Sequence, residues 1–479
     1  MADMLEDILN EVDKKKRNDN SDNRNNTENS YESDSDDYGN DDYTDYNIGG
    51  QGLPVYSSEK AAWQSGRFGK FIRAVVPLKS DKPLEIVRKI VFITSLTIAV
   101  VCLVIILTDI REGKKHDATY DGIRDSMEHI RLSGTVSYTS DKVEEMLSDD
   151  PEALWQYAHE LYAEILEANP STTLTPERIF EILTEKPGIL PQYIETYDRN
   201  NQLIGHLIMP DTPKNKLDYP VFQHREYDED GNVTGSNSYY LEYDIDLRPS
   251  KLGTVFAEWR FPFTPTSRPD NTVLYGHNIA DGRMFNSVVR YYPYYNAYAR
   301  SGNIEYYRQY PVIQFDTIYE EGFYKVFAVI YVHTEEDRYD DVFDYFRWRE
   351  IPDRETFFTF IVNIMDRSAF YTDVDLRYGD ELLTLSTCYY PLGEQLDSRV
   401  VVFARRVRPG ESTDVDLDAS YVNPSPHYFD YYYRARGGSW AGREWDTSKV
   451  EGLDEWLNKR GDAPTHLLFS ELQEEIAGQ

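Results

Sequence analysis

Cysteine is scarce in this chain, which has two cysteines among 479 residues. Cys102 lies inside a long apolar run, so Cys388 is the only cysteine outside it. Cys388 therefore has no partner for a structural disulfide, and the chain has no zinc-type cysteine cluster. No two of the nine histidines have metal-ligand spacing, so we expect no metal and no cofactor. A lone strand cysteine is usually a buried apolar residue, and a chemical role must come from its neighbours.

Positive charge is also in deficit, with 50 Lys and Arg against 84 Asp and Glu and a net charge of −34. Phosphate contacts need a basic surface, so nucleic-acid binding is not expected. Residues 1–60 are acidic and polar and contain few aliphatic side chains. Such a segment buries too little apolar surface to offset its ordering entropy. The sequence predicts a disordered acidic tail over these residues.

One apolar run has the length of a membrane span. Residues 90–107 read IVFITSLTIAVVCLVIIL and carry no charge, which predicts a transmembrane helix. The run lies too far from the N-terminus for a cleaved signal peptide. The basic, aromatic segment 61–89 precedes it, and more lysines and arginines lie on this side than on the other. This bias predicts a cytoplasmic N-terminus, with everything after the helix outside the cell.

Three regions follow the apolar run. Residues 109–200 show helical spacing, with a start signal at Asp150-Pro151, a stop at Asn169-Pro170 and a second start at Thr175-Pro176. We expect these helices to pack on the domain that follows. Residues 201–408 contain many short strands and one helix at 353–366, a pattern typical of a mixed or antiparallel β-barrel. Residues 409–479 carry no motif and are either a packed cover or a flexible aromatic tail.

The predicted strands of the barrel region share apolar runs bounded by turn residues. They lie at 203–209, 219–223, 239–243, 254–259, 272–275, 312–318, 322–333, 381–388 and 399–407.

The stretch TLSTC at 384–388 ends one predicted strand, and RVVVF at 399–403 begins the next. Side chains alternate along a strand, so Ser386 and Cys388 share a face. If the two strands pair as a hairpin, Arg399 lies beside Cys388. A thiol beside a fixed cation is in the environment that favours thiolate.

The stretch LYGHN at 274–278 ends another strand, and it places His277 on a strand-end loop, where functional residues concentrate. A single histidine is more often a surface or hydrogen-bonded residue, so the position alone is a weak indication. No Asp or Glu has a spacing that marks it as orienting His277. The sequence therefore gives no basis for claiming a full catalytic triad.

LYGHN, the following Met284-Phe285, TLSTC and the arginine that opens a VVV strand occur in an order that resembles class B sortases. The stretches DYPVFQ at 218–223, YYL at 239–241 and SKLGTVF at 250–256 support the resemblance, which covers nearly half of the chain, from about residue 200 to 408. The resemblance implies a mainly β fold: an eight-stranded sortase-type barrel with N-terminal helices. It also implies a membrane-anchored cysteine transpeptidase of Gram-positive bacteria.

By this resemblance, Cys388 is the nucleophile, His277 the general acid/base, and Arg399 the partner of the substrate and oxyanion. Ser386 matches a family position near the bound sorting signal, and we group Thr387, Asn278 and Tyr389 with it as substrate-binding candidates. The implied partners are surface proteins that bear a sorting signal and an amine acceptor from peptidoglycan or another surface protein. Tyr389 stands where many family members carry an acidic residue, which bears on the sorting motif recognised.

Two other functions remain open at this point. A hydrolytic cysteine peptidase would use the same cysteine and histidine with water as the acceptor. Papain-like enzymes place the cysteine before the histidine, whereas His277 precedes Cys388 here. A non-catalytic, membrane-tethered binding module would require the Cys, His and Arg contexts to coincide by chance.

Overall fold

The computed structural model describes residues 71, 74–209, 217–294, 304–334, 342–461, 465–467 and 471–474. The tail predicted at 1–60 lies outside these residues, as does the first part of the basic segment at 61–89. Disorder of the tail therefore stays a prediction. The chain divides into two compact units, residues 1–98 and 99–479.

The apolar run lies within one long helix, α1 (Pro83–Ser133). In the part of the chain that the structure describes, this is the one helix long and apolar enough to cross a membrane, and its most apolar stretch is not buried. The helix continues well past residue 107 because no proline interrupts residues 108–133. Gly134, with φ of +73°, follows directly and is the left-handed glycine that commonly ends a helix.

Four further helices occupy the region predicted as helical: α2 (Ser140–Asp149), α3 (Pro151–Ala168), α4 (Pro176–Glu185) and α5 (Ile194–Arg199). Side-chain caps begin α3 and α4 where the sequence predicts them, because the side chains of Asp150 and Thr175 accept bonds from first-turn amides. The buried faces of the helices form one cluster with Phe222 and Phe256 of the next region. Their predicted packing on that region is confirmed.

The strands of the structure are β1 (Leu203–Met209), β2 (Leu217–Phe222), β3 (Arg225–Tyr227), β4 (Val233–Gly235), β5 (Phe256–Ala257), β6 (Asn271–Tyr275), β7 (Val312–Thr317), β8 (Phe323–His333), β9 (Phe370–Tyr371), β10 (Leu382–Cys388), β11 (Ser398–Arg406) and β12 (Tyr421–Val422). Eight of them close a barrel in the order β1–β2–β5–β6–β10–β11–β8–β7. Neighbours are antiparallel except β2–β5 and β6–β10, which are parallel. The mixed eight-stranded barrel predicted from the sequence is confirmed.

The remaining helices are α6 (Tyr239–Glu242), α7 (Asn286–Val289), α8 (Glu305–Gln309), α9 (Arg354–Arg367), α10 (Asp430–Arg436) and α11 (Leu453–Arg460). The strand predicted at 239–243 is wrong, because α6 forms there. The rings of Tyr239 and Tyr243 stack with centroids 4.6 Å apart, a contact that residues four apart make on a helical turn. The strand predicted at 254–259 shortens to β5, and the helix predicted at 353–366 is confirmed as α9.

Side chains of β11 divide between two cores. Val400 and Val402 belong to a cluster that receives residues from all eight barrel strands, which we call the inner core. Val401 and Phe403 belong to a second cluster, the outer core, which also holds the buried phenylalanines of α9. The strand alternation therefore identifies the face to which each residue of the hairpin projects.

The segment after the barrel is a packed cover in the residues that the structure describes. Tyr428 and Phe429 enter the inner core, while Trp445 and Trp456 enter the outer core. β12 pairs with β9, and α10 ends at Gly437, whose φ is 81°. Of the two alternatives that the sequence leaves open for this segment, the packed one is found.

Candidate active site

The hairpin of β10 and β11 sets Cys388 directly opposite Arg399. Opposed residues of antiparallel strands project to the same face. Val401, which shares the face of Arg399, lies in the outer core, so Cys388 and Arg399 lie side by side where that face ends. The half-buried thiol and the cation are neighbours, which confirms the predicted pairing of the strands.

Parallel pairing of β6 with β10 brings His277 to the same end of the sheet. Ser386 is in register with Tyr275, so the residues that follow these two lie close together. Two hydrogen bonds join the segments: the Thr387 hydroxyl donates to the Gly276 carbonyl at 2.7 Å, and the Asn278 side-chain amide donates to the Cys388 carbonyl at 3.0 Å. The loop that carries His277 is thus fixed to the end of the strand that carries Cys388.

The imidazole of His277 is oriented by a backbone group. Its Nε2 lies 2.8 Å from the carbonyl oxygen of Leu241 in α6. A carbonyl only accepts hydrogen bonds, so Nε2 donates, and a neutral ring in this arrangement has its lone pair on Nδ1. The partner is a main-chain oxygen instead of a carboxylate, and for this reason no spacing of acidic residues marks it in the sequence.

Gly253 allows the Leu241 carbonyl to occupy this position. Its φ is +60°, and a Cβ there would lie 2.5 Å from the Tyr240 oxygen and 2.9 Å from the Leu241 oxygen. A larger residue would therefore push away the acceptor of the His277 bond. The stretches around 241 and 253 that contribute to the family resemblance therefore pack against each other, and the first of them bonds the histidine.

Arg399 is held by a residue that the sequence reasoning does not single out. Its Nη1 donates to one carboxylate oxygen of Asp397, and its Nη2 donates to the other at 3.0 Å. The hydroxyl of Thr334 also donates to this carboxylate, at 2.8 Å, on the oxygen that accepts from Nη2. Burial opposes the charge on Arg399, but the groups of Cys388, Tyr345 and Asp397 together raise its pKa above the ordinary value. An aspartate two positions before the arginine in an extended segment is the signal that could have identified it.

The predicted substrate-binding residues occupy different settings. The hydroxyl of Ser386 is buried and lies 2.6 Å from the hydroxyl of Tyr345. Thr387 is also buried, and its hydroxyl is used by the Gly276 bond. Asn278 donates to Cys388 and accepts from the side chain of Asn286 at 2.9 Å. The polar groups of Ser386, Thr387 and Asn278 thus all bond other parts of the protein. A direct contact of these residues with substrate stays a prediction.

Tyr389, the fourth predicted substrate-binding residue, is half-buried among aromatic rings. Its ring centroid lies 6.0 Å from that of Tyr292 and 5.9 Å from that of Tyr331. Its amide donates to the Ser398 carbonyl at 3.1 Å, and its own carbonyl accepts from the Ser398 hydroxyl at 2.6 Å. Tyr389 therefore fixes the start of the loop that connects β10 to β11.

Two more tyrosines belong to the site. Burial, followed by interaction with the Cys388 side chain, raises the pKa of Tyr390 to about 12. Burial also raises the pKa of Tyr345, although the positive charge of Arg399 opposes the shift. Both phenols are therefore neutral near pH 7 and can donate hydrogen bonds beside the thiol. Among the described residues, no group of three or more His, Cys, Asp or Glu side chains is arranged to hold a metal ion.

No family model matches the chain. It is 24% identical over 190 residues to Sortase B of Listeria monocytogenes, a match that covers 40% of this chain and 63% of that protein. It is also 24% identical over 231 residues to Sortase B of Staphylococcus aureus, covering 48% of this chain and 81% of that one. The chain thus spans less than two thirds of the length of the Listeria relative.

Solved structures of proteins named sortase B also align with this chain. The complex of Staphylococcus aureus sortase B with its substrate aligns over 48% of this chain and 92% of that one, with 22% identity and a TM-score of 0.37. Sortase B from Bacillus anthracis aligns over 47% and 87%, with 25% identity and a TM-score of 0.35. The predicted resemblance is confirmed by sequence: over nearly half of its length, this barrel-forming chain is a homologue of class B sortases.

Proposed function

We propose that this chain is a class B sortase-like cysteine transpeptidase that cleaves a sorting signal and transfers the acyl group to an amine. The observation that carries the proposal is the meeting of a cysteine, an arginine and a histidine at one end of the barrel. Cys388 and Arg399 are opposed in register, and the loop of His277 is bonded to the Cys388 strand. The sequence relatives are named for sortase activity, which supports the same chemistry here.

Covalent catalysis divides the reaction into two steps. The Cys388 thiolate attacks the carbonyl carbon of the sorting signal, and the C–N bond breaks as His277 protonates the leaving amine. The acyl group then remains on the sulfur as a thioester. An acceptor amine attacks that carbonyl, His277 takes its proton, and the thiolate leaves. Because Nε2 of His277 is engaged with Leu241, we assign both proton transfers to Nδ1.

Arg399 stabilises the oxyanion that forms in each step. Preorganised donors aimed at developing charge are a large source of rate enhancement. A guanidinium has five N–H donors, and the contacts with Asp397 use Nη1 and Nη2. The Nε edge is not used in those contacts, so it can face the reacting carbonyl while Asp397 fixes the other edge.

The proposed substrates follow from the relatives. A Staphylococcus aureus sortase B structure holds a substrate, and by likeness we propose surface proteins with a sorting signal as acyl donors. The acceptor is an amine of peptidoglycan or of another surface protein. Ser386, Thr387, Asn278 and Tyr389 remain the proposed substrate-side residues, acting through the strand ends and loop that they fix.

We further propose a single-pass protein at the cell membrane, with the N-terminus in the cytoplasm and the barrel outside. The apolar stretch of α1 and the excess of basic residues before it support this orientation. Protease added to intact cells without their wall should digest the region after residue 107 and spare residues before 90. The opposite pattern would exclude work on the cell wall.

One assay distinguishes transpeptidation from hydrolysis and from binding without reaction. The purified chain is incubated with a peptide library, with and without an added amine, and products are identified by mass. Transpeptidation predicts a peptide joined to the amine. Cleavage with water alone, even at high amine concentration, would indicate a hydrolytic peptidase. Unchanged peptides that stay bound would indicate a binding module.

A further inference from the structure

The segment after the barrel reaches the candidate active site through aromatic rings. The hydroxyl of Tyr428 lies 2.8 Å from that of Tyr292, and both groups are buried. Tyr432 stacks on Tyr428 with ring centroids 3.8 Å apart. Phe429 lies 5.4 Å from the ring of Tyr331. The residues 428–433 therefore pack against the end of β8 and against the chain that follows α7.

The loop that follows Cys388 packs into the same aromatic cluster. Tyr389 contacts Tyr292 and Tyr331, the two rings that also contact the C-terminal segment. Leu392 and Leu396 of this loop join the inner core, to which Tyr428, Phe429 and residues 431–433 also contribute. Loop 389–396 and segment 428–433 thus share one packed cluster directly beside Cys388.

We propose that segment 428–436 is a positioning element that holds loop 389–396 in its substrate-binding conformation and so strengthens binding of the sorting peptide. The proposal rests on the proposed transpeptidase function. The loop lies between β10 and β11 and consists of turns. Its backbone bonds are few and mostly local, so aromatic packing adds the contacts that hold it against the rest of the molecule. The loop begins directly after Cys388 and carries Tyr389 and Tyr390.

Preorganisation predicts which kinetic constant depends on the segment. When the loop is already ordered, a peptide binds without the entropic cost of immobilising it. Without the aromatic contact, the loop is less ordered before the peptide arrives, and the entropic cost of ordering it weakens peptide binding. The groups that act in the chemical step, Cys388, His277 and Arg399, are fixed by strand pairing and by their own bonds. KM should therefore rise while kcat stays nearly constant.

The C-terminal segment has an anchor away from the loop, so one ring can be removed without detaching it. The buried carboxylate of Asp366 in α9 accepts from Arg443 Nε at 2.9 Å and from Trp445 Nε1 at 2.5 Å. Trp456 packs on Phe358 in the outer core, with centroids 5.6 Å apart. Trp456 is therefore the control: it is an aromatic residue that also follows the barrel, outside segment 428–436, and it lies in the outer core.

The test compares Tyr432→Ala with Trp456→Ala in the full chain, purified in detergent. Amide hydrogen exchange over residues 389–396 is measured first, because it needs no substrate. The proposal expects faster exchange there in Tyr432→Ala and wild-type exchange in Trp456→Ala. In the transpeptidation assay, Tyr432→Ala should raise KM by roughly 2- to 10-fold with kcat within about twofold.

The outcomes separate this inference from the enzyme assignment. Wild-type exchange of the loop in Tyr432→Ala would overturn the positioning role, as would equal acceleration in both variants. Faster loop exchange in a chain that never transfers an acyl group would leave the positioning contact intact and refute the transpeptidase. A fall in kcat with unchanged KM would also contradict the inference, because it would assign the ring to the chemical step.

Discussion

Arg399 has to meet two demands with one guanidinium. In the proposed mechanism, it accompanies the Cys388 thiolate and donates hydrogen bonds to a substrate carbonyl and to the oxyanion. The planar fork can meet both because its edges are separate. Asp397 holds the Nη1 and Nη2 edge, which fixes the plane of the group before substrate arrives. Lysine would carry the charge but offers a single point of donation.

We expect Arg399→Lys to lose transpeptidation almost as completely as Arg399→Ala, by roughly 100-fold or more in kcat, since removal of one oxyanion donor has this effect. The matched control is Arg406→Lys at the opposite end of β11, where Arg406 bonds Glu320 and Glu381. Steady-state kinetics of both variants decide the matter. Full activity in Arg399→Lys, with loss in Arg406→Lys, would mean that the wrong arginine has been identified.

Asp397 contributes negative charge as well as geometry. Its charge acts to raise the pKa of Tyr345 as well as that of Arg399, so its field extends over the site. Asp397→Asn should speed alkylation of Cys388 at neutral pH, since one charge that opposes the thiolate is gone. The same change should slow transpeptidation, because the orientation of Arg399 is lost. The control is Glu394→Gln, which removes an exposed carboxylate from the connection between the same two strands. If the two changes altered the rates of alkylation and of transpeptidation equally, the specific role of Asp397 would be refuted.

The short helix α6 is the element that orients His277, the proposed general acid/base. Its Leu241 carbonyl accepts from His277, and the turn at Gly253 passes close enough to fix that carbonyl. A four-residue helix and a separate turn thus determine the direction of one imidazole. The elements that carry Cys388 and Arg399 are regular strands.

Gly253→Ala should therefore lower activity as well as stability. The left-handed backbone alone costs an alanine roughly 1–2 kcal/mol, and the added methyl would meet two carbonyl oxygens in addition. Gly231→Ala is the control, because its φ of +80° imposes the same strain with nothing within 4 Å of the methyl. We expect both variants to unfold at lower denaturant concentration and only Gly253→Ala to lose kcat. Wild-type kcat in Gly253→Ala would show that activity does not depend on the position of the Leu241 carbonyl.

The hairpin and the barrel could be predicted from local patterns. Apolar runs bounded by turn residues locate β10 and β11, and their pairing sets Arg399 opposite Cys388. The contacts of Leu241 with His277 and of Tyr345 with Ser386 join residues far apart in sequence, and no local pattern encodes them. The error at 239–243 has a similar origin, since aromatic residues favour strands but here they stack across one helical turn.

The C-terminal cover joins the outer core to the aromatic cluster beside the site. Its anchor is the buried carboxylate of Asp366, which accepts from Arg443, Trp445 and His466. Burial acts to raise the pKa of Asp366, but its bonds with His466 and Arg443 outweigh burial and lower the pKa to about 2. The cover is thus attached most firmly when this carboxylate is ionised.

This shift predicts acid lability of the cover. Because the folded pKa is below the ordinary value of 3.8, the stabilisation is complete above about pH 4 and is lost as pH falls toward 2, by roughly 2 kcal/mol. In Asp366→Asn, the free energy of unfolding should be lower at neutral pH and should change less between pH 4 and 2. Asp414→Asn, at an exposed carboxylate, should keep the wild-type pH dependence. An unchanged slope in Asp366→Asn would show that other groups set the acid response.

The most direct test is to observe the covalent intermediate. The full chain is incubated with a sorting peptide in the absence of an amine acceptor, quenched in acid and digested, and the peptides are analysed by mass. We predict a thioester adduct, sensitive to hydroxylamine, on the fragment that contains Cys388. Cys388→Ala should form no adduct and keep the wild-type unfolding curve. An adduct of the same mass on the Ala variant, or on another residue of the wild-type chain, would contradict the assignment of Cys388 as the nucleophile.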